Sequence, residues 1–153
     1  MYEISYQTSW NVRPLPHVED KSLNTYRFLR TLQKEQIISE IEKRGCVSSG
    51  DIKNIFEGKL CYSRYASFIS PKAVPAHSVC FWRPDAPLIR TDYLGKTRYR
   101  YKDCYISFVG FQEPLDRIPA GTLLRMSLAN WWAPEDSDIE KRCYLQLSGW
   151  FVA

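Results

Sequence analysis

Lys96-Thr97-Arg98-Tyr99-Arg100-Tyr101-Lys102 alternates a cation with a ring or hydroxyl at every step. In a β-strand successive side chains point to opposite faces. The alternation therefore predicts a strand with Lys96, Arg98, Arg100 and Lys102 on one face and Thr97, Tyr99 and Tyr101 on the other. The extended stretch continues to Phe111, with a bend near Asp103. Working outward, Val79-Cys80-Phe81-Trp82 reads as a strand followed by a turn at Arg83-Pro84-Asp85-Ala86-Pro87. Leu123 to Trp132 is a further strand, led in by Ile118-Pro119-Ala120-Gly121. Arg142 to Val152 is the last, after an acidic hairpin loop at Pro134–Asp138.

The first half of the chain reads differently. Tyr2, Ile4 and Tyr6 alternate with Glu3, Ser5 and Gln7, which suits a short strand, and Val12-Arg13-Pro14-Leu15-Pro16 is an extended connector. Residues 22–58 carry helical spacing. One helix holds Tyr26, Phe28, Leu29, Leu32, Ile37, Ile38 and Ile41 and stops at Gly45. A second, shorter one holds Ile52, Ile55 and Phe56, and a third helix or turn holds Tyr62, Tyr65, Phe68 and Ile69. Pro71 and Pro75 end the helical pattern. The expectation is an α+β protein: a helical N-terminal segment over residues 1–78, packed on a C-terminal antiparallel β-barrel or strongly curved sheet over residues 79–153, the two possibly forming one compact unit.

The chain has 153 residues, 44% of them hydrophobic and 25% charged, which excludes collagen, low-complexity linkers and wholesale disorder. No apolar stretch is long enough to span a bilayer as a helix. Met1-Tyr2-Glu3-Ile4-Ser5 lacks the basic-then-apolar form of a secretory leader, so a soluble, cytoplasmic protein with no membrane partner is expected. Cys46, Cys61, Cys80, Cys104 and Cys143 form no C-x-x-C, and His77-Ser78-Val79-Cys80 stands without a second pair. Free thiols and no metal follow. The sequence has no G-x-S-x-G, H-E-x-x-H or P-loop, so it predicts neither catalytic residues nor a cofactor.

A net charge of +4 is mild, but its distribution is not. Arg83, Arg90, Lys96, Arg98, Arg100 and Lys102 crowd into one stretch against Asp85 and Asp92 alone. Cations on alternate strand positions lie about 6–7 Å apart, the scale of a phosphate backbone. Tyr93, Tyr99, Tyr101 and Tyr105 surround the row and offer stacking platforms, and Trp131-Trp132 supplies one core ring and one partly exposed ring. The candidate nucleic-acid-binding residues are thus Arg83, Arg90, Lys96, Arg98, Tyr99, Arg100, Tyr101, Lys102 and Trp131, with single strands favoured. The same aromatic wealth also fits docking on a larger protein partner. A helix-turn-helix over residues 34–56, presenting Lys53, Asn54 and Lys59, is a weaker reading.

From Val79 onward the patterns Phe81-Trp82-Arg83-Pro84-Asp85, Gly95 to Tyr101, Ile118 to Trp132 and Arg142 to Phe151 resemble a dual-OB type domain of bacterial conflict (anti-phage defence) systems. The resemblance covers residues 79–152. It implies an OB-like barrel and a non-catalytic accessory subunit of a defence or DNA-processing complex, since such domains occur beside helicases and nucleases. Residues 1–78 then read either as a degraded first barrel or as an unrelated helical unit.

The C-terminal alternation carries a test. Cys143, Leu145, Leu147, Gly149 and Phe151 form the predicted core face, and Tyr144, Gln146, Ser148, Trp150 and Val152 the wet or partner-bound one. Truncation after Gln146 removes Leu147 and Phe151, large groups worth about 2–5 kcal/mol each when buried. The truncated chain is expected to be insoluble or unfolded. A soluble product with an unchanged melting temperature would make this strand peripheral.

Overall fold

The structure is a computed structural model and describes residues 1–6, 14–44 and 47–151. Gln7, Val12, Arg13, Gly45, Cys46 and Val152, each given a place above, lie outside the described residues.

In chain order the strands and the helix are β1 (Tyr2–Tyr6), β2 (Leu23–Phe28), α1 (Lys34–Lys43), β3 (Val47–Gly50), β4 (Cys61–Tyr62), β5 (Ser67–Ile69), β6 (Val79–Pro84), β7 (Leu88–Tyr93), β8 (Lys96–Tyr101), β9 (Cys104–Phe108), β10 (Arg117–Ile118), β11 (Leu123–Leu128) and β12 (Cys143–Phe151). Two 3-10 turns, Ile52–Asn54 and Phe56–Gly58, follow β3. The protein is mostly β.

This overturns the expected α+β architecture of a helical N-terminal segment packed on a C-terminal antiparallel β-barrel or strongly curved sheet: among the described residues the helical segment is missing, and the sheet is mixed. The one α-helix among the described residues buries none of its side chains. Tyr26 and Phe28 lie in β2, because Ile4 and Tyr2 stand opposite them and ring-to-ring pairing on a pleated ribbon suits these β-formers. The helix-turn-helix also fails: Val47–Gly50 is a strand pairing in parallel with β6, and among the described residues no second α-helix follows it. Phe68 and Ile69 sit in β5, not in a helix.

The main sheet has ten strands and is mixed. Its path runs β10-β7-β8-β9-β12-β11-β6-β3, with β4 and β5 attached to the side, and the path does not close into a barrel. β12 is its spine. One edge pairs with β11 from Leu128↔Leu145 to Leu123↔Phe151. The other edge pairs first with β5, antiparallel at Cys143↔Ile69, then with β9, parallel at Leu147↔Phe108. The sheet thus draws strands from both sides of residue 78.

The open sheet is nonetheless curled. Trp82 of β6 and Tyr101 of β8 are four strand spacings apart, about 19 Å on a flat sheet. Their ring centroids are 4.9 Å apart, nearly perpendicular. Inside the curl, Trp82, Leu88, Tyr99, Tyr101, Ile106 and Met126 are fully buried, and Ile52 and Phe56 of the 3-10 turns, with Ile55 between them, join the same core. The sequence-predicted turn near Asp103 is a tight hairpin between β8 and β9, with Tyr101 opposite Cys104.

A β-bulge corrects the predicted faces of β12. Arg125 stands opposite Gly149 and Met126 opposite Leu147, so Ser148 is the extra residue. The alternation inverts there. Cys143, Leu145 and Leu147 point into the core as expected, but beyond the bulge Trp150 turns inward and Phe151 is only half-buried. Gly149 faces no large ring. The Gln112 carboxamide crosses it, accepting from the Trp150 N–H at 2.9 Å and donating to the Trp150 carbonyl at 3.0 Å.

A methyl group on Gly149 would sit 2.8 Å from Gln112 Oε1 and displace this clasp. Gly149→Ala is expected to cost about 1–2 kcal/mol in urea denaturation, the net worth of two hydrogen bonds. Gln112→Ala should cost the same, and the double variant little more than either. Full additivity would show that the clasp is not what Gly149 protects.

Candidate nucleic-acid interface

Residues directly opposite on neighbouring strands share a face. On β7, β8 and β9 the rows are Tyr93/Lys96, Thr91/Arg98/Ser107 and Ile89/Arg100/Tyr105 on the outer side, and Arg90/Tyr99/Ile106 on the core side. The outer row continues through Gln146 of β12 to Ser127 of β11. The face is therefore polar and continuous across five strands.

Arg98 sits at its centre. Its guanidinium lies 5.0 Å from the Tyr93 ring centroid and 4.8 Å from that of Tyr105. Cations over ring faces are held by the ring quadrupole. Arg98 Nε is buried with no hydrogen-bond partner. Beside it opens a cleft of about 520 Å³ lined by Tyr93, Leu94, Lys96, Arg98, Val109 and Gln146, a size typical of ligand sites.

The tip of the β7–β8 hairpin is unusual. Leu94 and Gly95 both have positive φ, as a two-residue turn matched to strand twist requires. Glycine takes that conformation freely, but leucine does so rarely. Leu94 is also 83% exposed, and Val109 and Phe111 are exposed as well.

The nine predicted site residues divide. Lys96, Arg98 and Arg100 share the outer face, as the alternation requires. Tyr99 and Tyr101 are fully buried. Their hydroxyls donate to the Leu115 carbonyl at 2.8 Å and to an Asp85 carboxylate oxygen. They are core groups and have no face left to stack a base. Arg90 stands opposite Tyr99, on the wrong face, and is paired with Asp92 at 3.1 Å. Arg83 lies four strands away, bound to Glu42 at 2.5 Å and to the Gly121 carbonyl at 2.7 Å. Trp131 packs against the core and donates its indole N–H to the Leu15 carbonyl. The more exposed member of the pair is Trp132.

Lys102 does not extend the row. β8 ends at Tyr101, and Lys102 has a φ of 49°, in the left-handed region of the hairpin turn. Its ammonium is held between Asp51 at 2.8 Å and Asp85 at 3.1 Å. Tyr93 and Tyr105, two of the four rings expected to offer stacking platforms, are the ones that meet Arg98. Leu94 had no sequence signal beyond a Leu-Gly pair between two alternating runs.

The residues match one family model, that of the dual OB-containing domain, over positions 4–150. The chain belongs to this family. The match reaches far ahead of residues 79–152, so the N-terminal segments are part of the domain. No curated protein and no solved structure matches the chain.

The Lys102 cluster sets a pH limit. The hydrogen bond from Lys102 holds Asp51 below its ordinary 3.8, and bonds from Tyr101 and then Lys102 do the same for Asp85. A depressed folded-state pKa gives stability that is complete above the ordinary value and lost as pH falls through the folded one. Lys102 is itself raised, chiefly by Asp51, so its share persists to strongly alkaline pH. Lys102→Met should therefore lower the neutral melting plateau and flatten its fall below about pH 4. An acid limb as steep as the wild type's would exclude the cluster as its source.

Proposed function

We propose that the chain binds single-stranded nucleic acid across the outer face of β7, β8 and β9. One observation carries this reading: Arg98 is fixed between Tyr93 and Tyr105 beside an open cleft. Rings that flank cations on an exposed strand face are the usual means of gripping a single strand, bases on rings and phosphates on cations. Lys96 and Arg100 extend the charge along the strand. Leu94 adds an exposed apolar group at a strained tip, the kind of backbone outlier that clusters at functional sites. Membership of an OB-containing family supports the same reading, since OB folds bind oligonucleotides on a strand face and adjoining loops. In this proposal the chain has no catalysis of its own and serves as an accessory subunit of a bacterial defence or DNA-processing complex, the setting its family resemblance implies.

A second reading, docking on a larger protein, is favoured by Phe111, whose side chain stands wholly free of the fold.

Fluorescence anisotropy with a labelled oligonucleotide at several salt concentrations separates the two. Binding should weaken as salt rises. Lys96→Ala/Arg98→Ala should lower the log–log salt slope by about 0.7 per lost phosphate contact. Tyr93→Ala should cost about 1–3 kcal/mol with little change of slope, as loss of one stacked base would. The absence of salt-dependent binding to any strand, or an unchanged slope in the double variant, would refute the assignment.

A further inference from the structure

β1 and β2 form a two-stranded sheet of their own, and every residue in it is exposed. Its two faces differ sharply. Opposite pairs place Tyr2 with Phe28, Ile4 with Tyr26 and Tyr6 with Leu23 on one face. The other face carries the Glu3–Arg27 ion pair at 2.6 Å and the Ser5–Thr25 hydroxyl contact at 2.7 Å. The polar face is satisfied in water. The three pairs of the apolar face include no charged residue, and their six side chains are 49–71% exposed. Tyr2 packs edge-on against Tyr26 and Phe28, which makes the face one continuous surface.

The ribbon contributes nothing to the hydrophobic core. An isolated two-stranded ribbon is marginal in water, and one with an exposed apolar face needs a cover. The segment after the connector is nonetheless tied to the main sheet. His17 is buried, with Nε2 at 3.8 Å from Cys143 Sγ, and Glu19 accepts from both the backbone and the hydroxyl of Ser78.

We propose that the apolar face of the β1–β2 ribbon is a self-association surface, covered by the same face of a second copy about a two-fold axis. Two properties select a second copy. The first is chemical: a charge-free set of rings and aliphatics has no complement to seek other than another apolar face, and an isologous pair supplies an identical one. The second is area. Side chains of this kind present about 150–250 Å² when free. Six at half exposure offer about 600 Å² per copy, so a pair buries about 1,200 Å², the lower bound for a stable specific interface. Ile4 and Tyr26 occupy the middle of the patch and lie closest to the axis. The polar face, with Glu3, Arg27, Ser5 and Thr25, stays in solvent. This proposal does not depend on the nucleic-acid reading.

Sedimentation equilibrium on the full chain tests it. The wild type should move from one chain mass toward two over roughly 1–100 µM, as an interface at the low end of the size range would. Ile4→Glu/Tyr26→Glu places like charges at the axis and should stay at one chain mass throughout, with the main-sheet melting transition unchanged. Thr25→Lys puts a comparable charge on the wet face and should still pair. Deuterium exchange of the ribbon amides gives a second readout that needs no variant: protection should rise with protein concentration in the wild type. A wild type that is monomeric at all concentrations with constant ribbon protection overturns the proposal. So does a dimer that survives Ile4→Glu/Tyr26→Glu, or a mass that climbs past two chains without a plateau.

Discussion

The double ladder on β12 is the constraint on which the rest depends. A strand paired on both edges by three different partners cannot shift register without breaking all of them. The one irregularity, the bulge at Ser148, swings Trp150 into the core against Tyr99 and Phe108, with ring centroids 6.0 and 5.1 Å away. Phe108 belongs to β9, and Tyr99 to β8. The bulge thus fixes how the β7–β8–β9 portion leans on the β11–β6 portion. The curl that brings Trp82 to Tyr101 follows from the same packing.

The candidate interface is a by-product of that core. Burying Tyr99 and Tyr101 forces Lys96, Arg98 and Arg100 outward, because the strand period leaves no other choice. Tyr105 and Tyr93 stand diagonally across the ladder from Arg98 and reach it from both sides. Elsewhere acids neutralise the basic stretch: Asp92 holds Arg90, Glu42 holds Arg83, and Asp51 with Asp85 holds Lys102. Three cations remain on one face, which is a narrower and better defined surface than a count of charges suggests.

Much of this was legible in the residues, and the failures have physical causes. Alternation located β1, β8 and β12, and β6 and β11 read as strands from extended apolar runs. It also separated Tyr99 and Tyr101 from the cations, so their place in the core was implicit in the pattern that made them candidates. β2 was misread because Tyr26, Phe28, Leu29 and Leu32 fit a helical stripe locally, and only the distant partners Tyr2 and Ile4 decide for a strand. β7 has a blurred pattern, with Leu88 and Ile89 adjacent and Arg90 and Asp92 on the core side. Its identity comes from pairing with β8. Lys102 looked like the fourth member of a row, but a strand end and a left-handed turn are not visible in alternation. The resemblance to dual-OB domains pointed to the right family over too short a span.

The position of β12 also has a kinetic consequence. Its partners lie far back in the chain: β5 is met through Ile69↔Cys143 and β9 through Ser107↔Gln146. Each of these pairings closes a long loop before it gains any contact, so the sheet has the topology of a slow folder. Until β12 docks, β5, β9 and β11 hold open edges of apolar strand, the state in which β-rich chains find one another instead of themselves. A nascent chain of this protein is thus most exposed to misassembly in the interval between forming the β7–β8–β9 meander and seating β12, and conditions that lengthen that interval cost soluble yield without altering the stability of the finished fold.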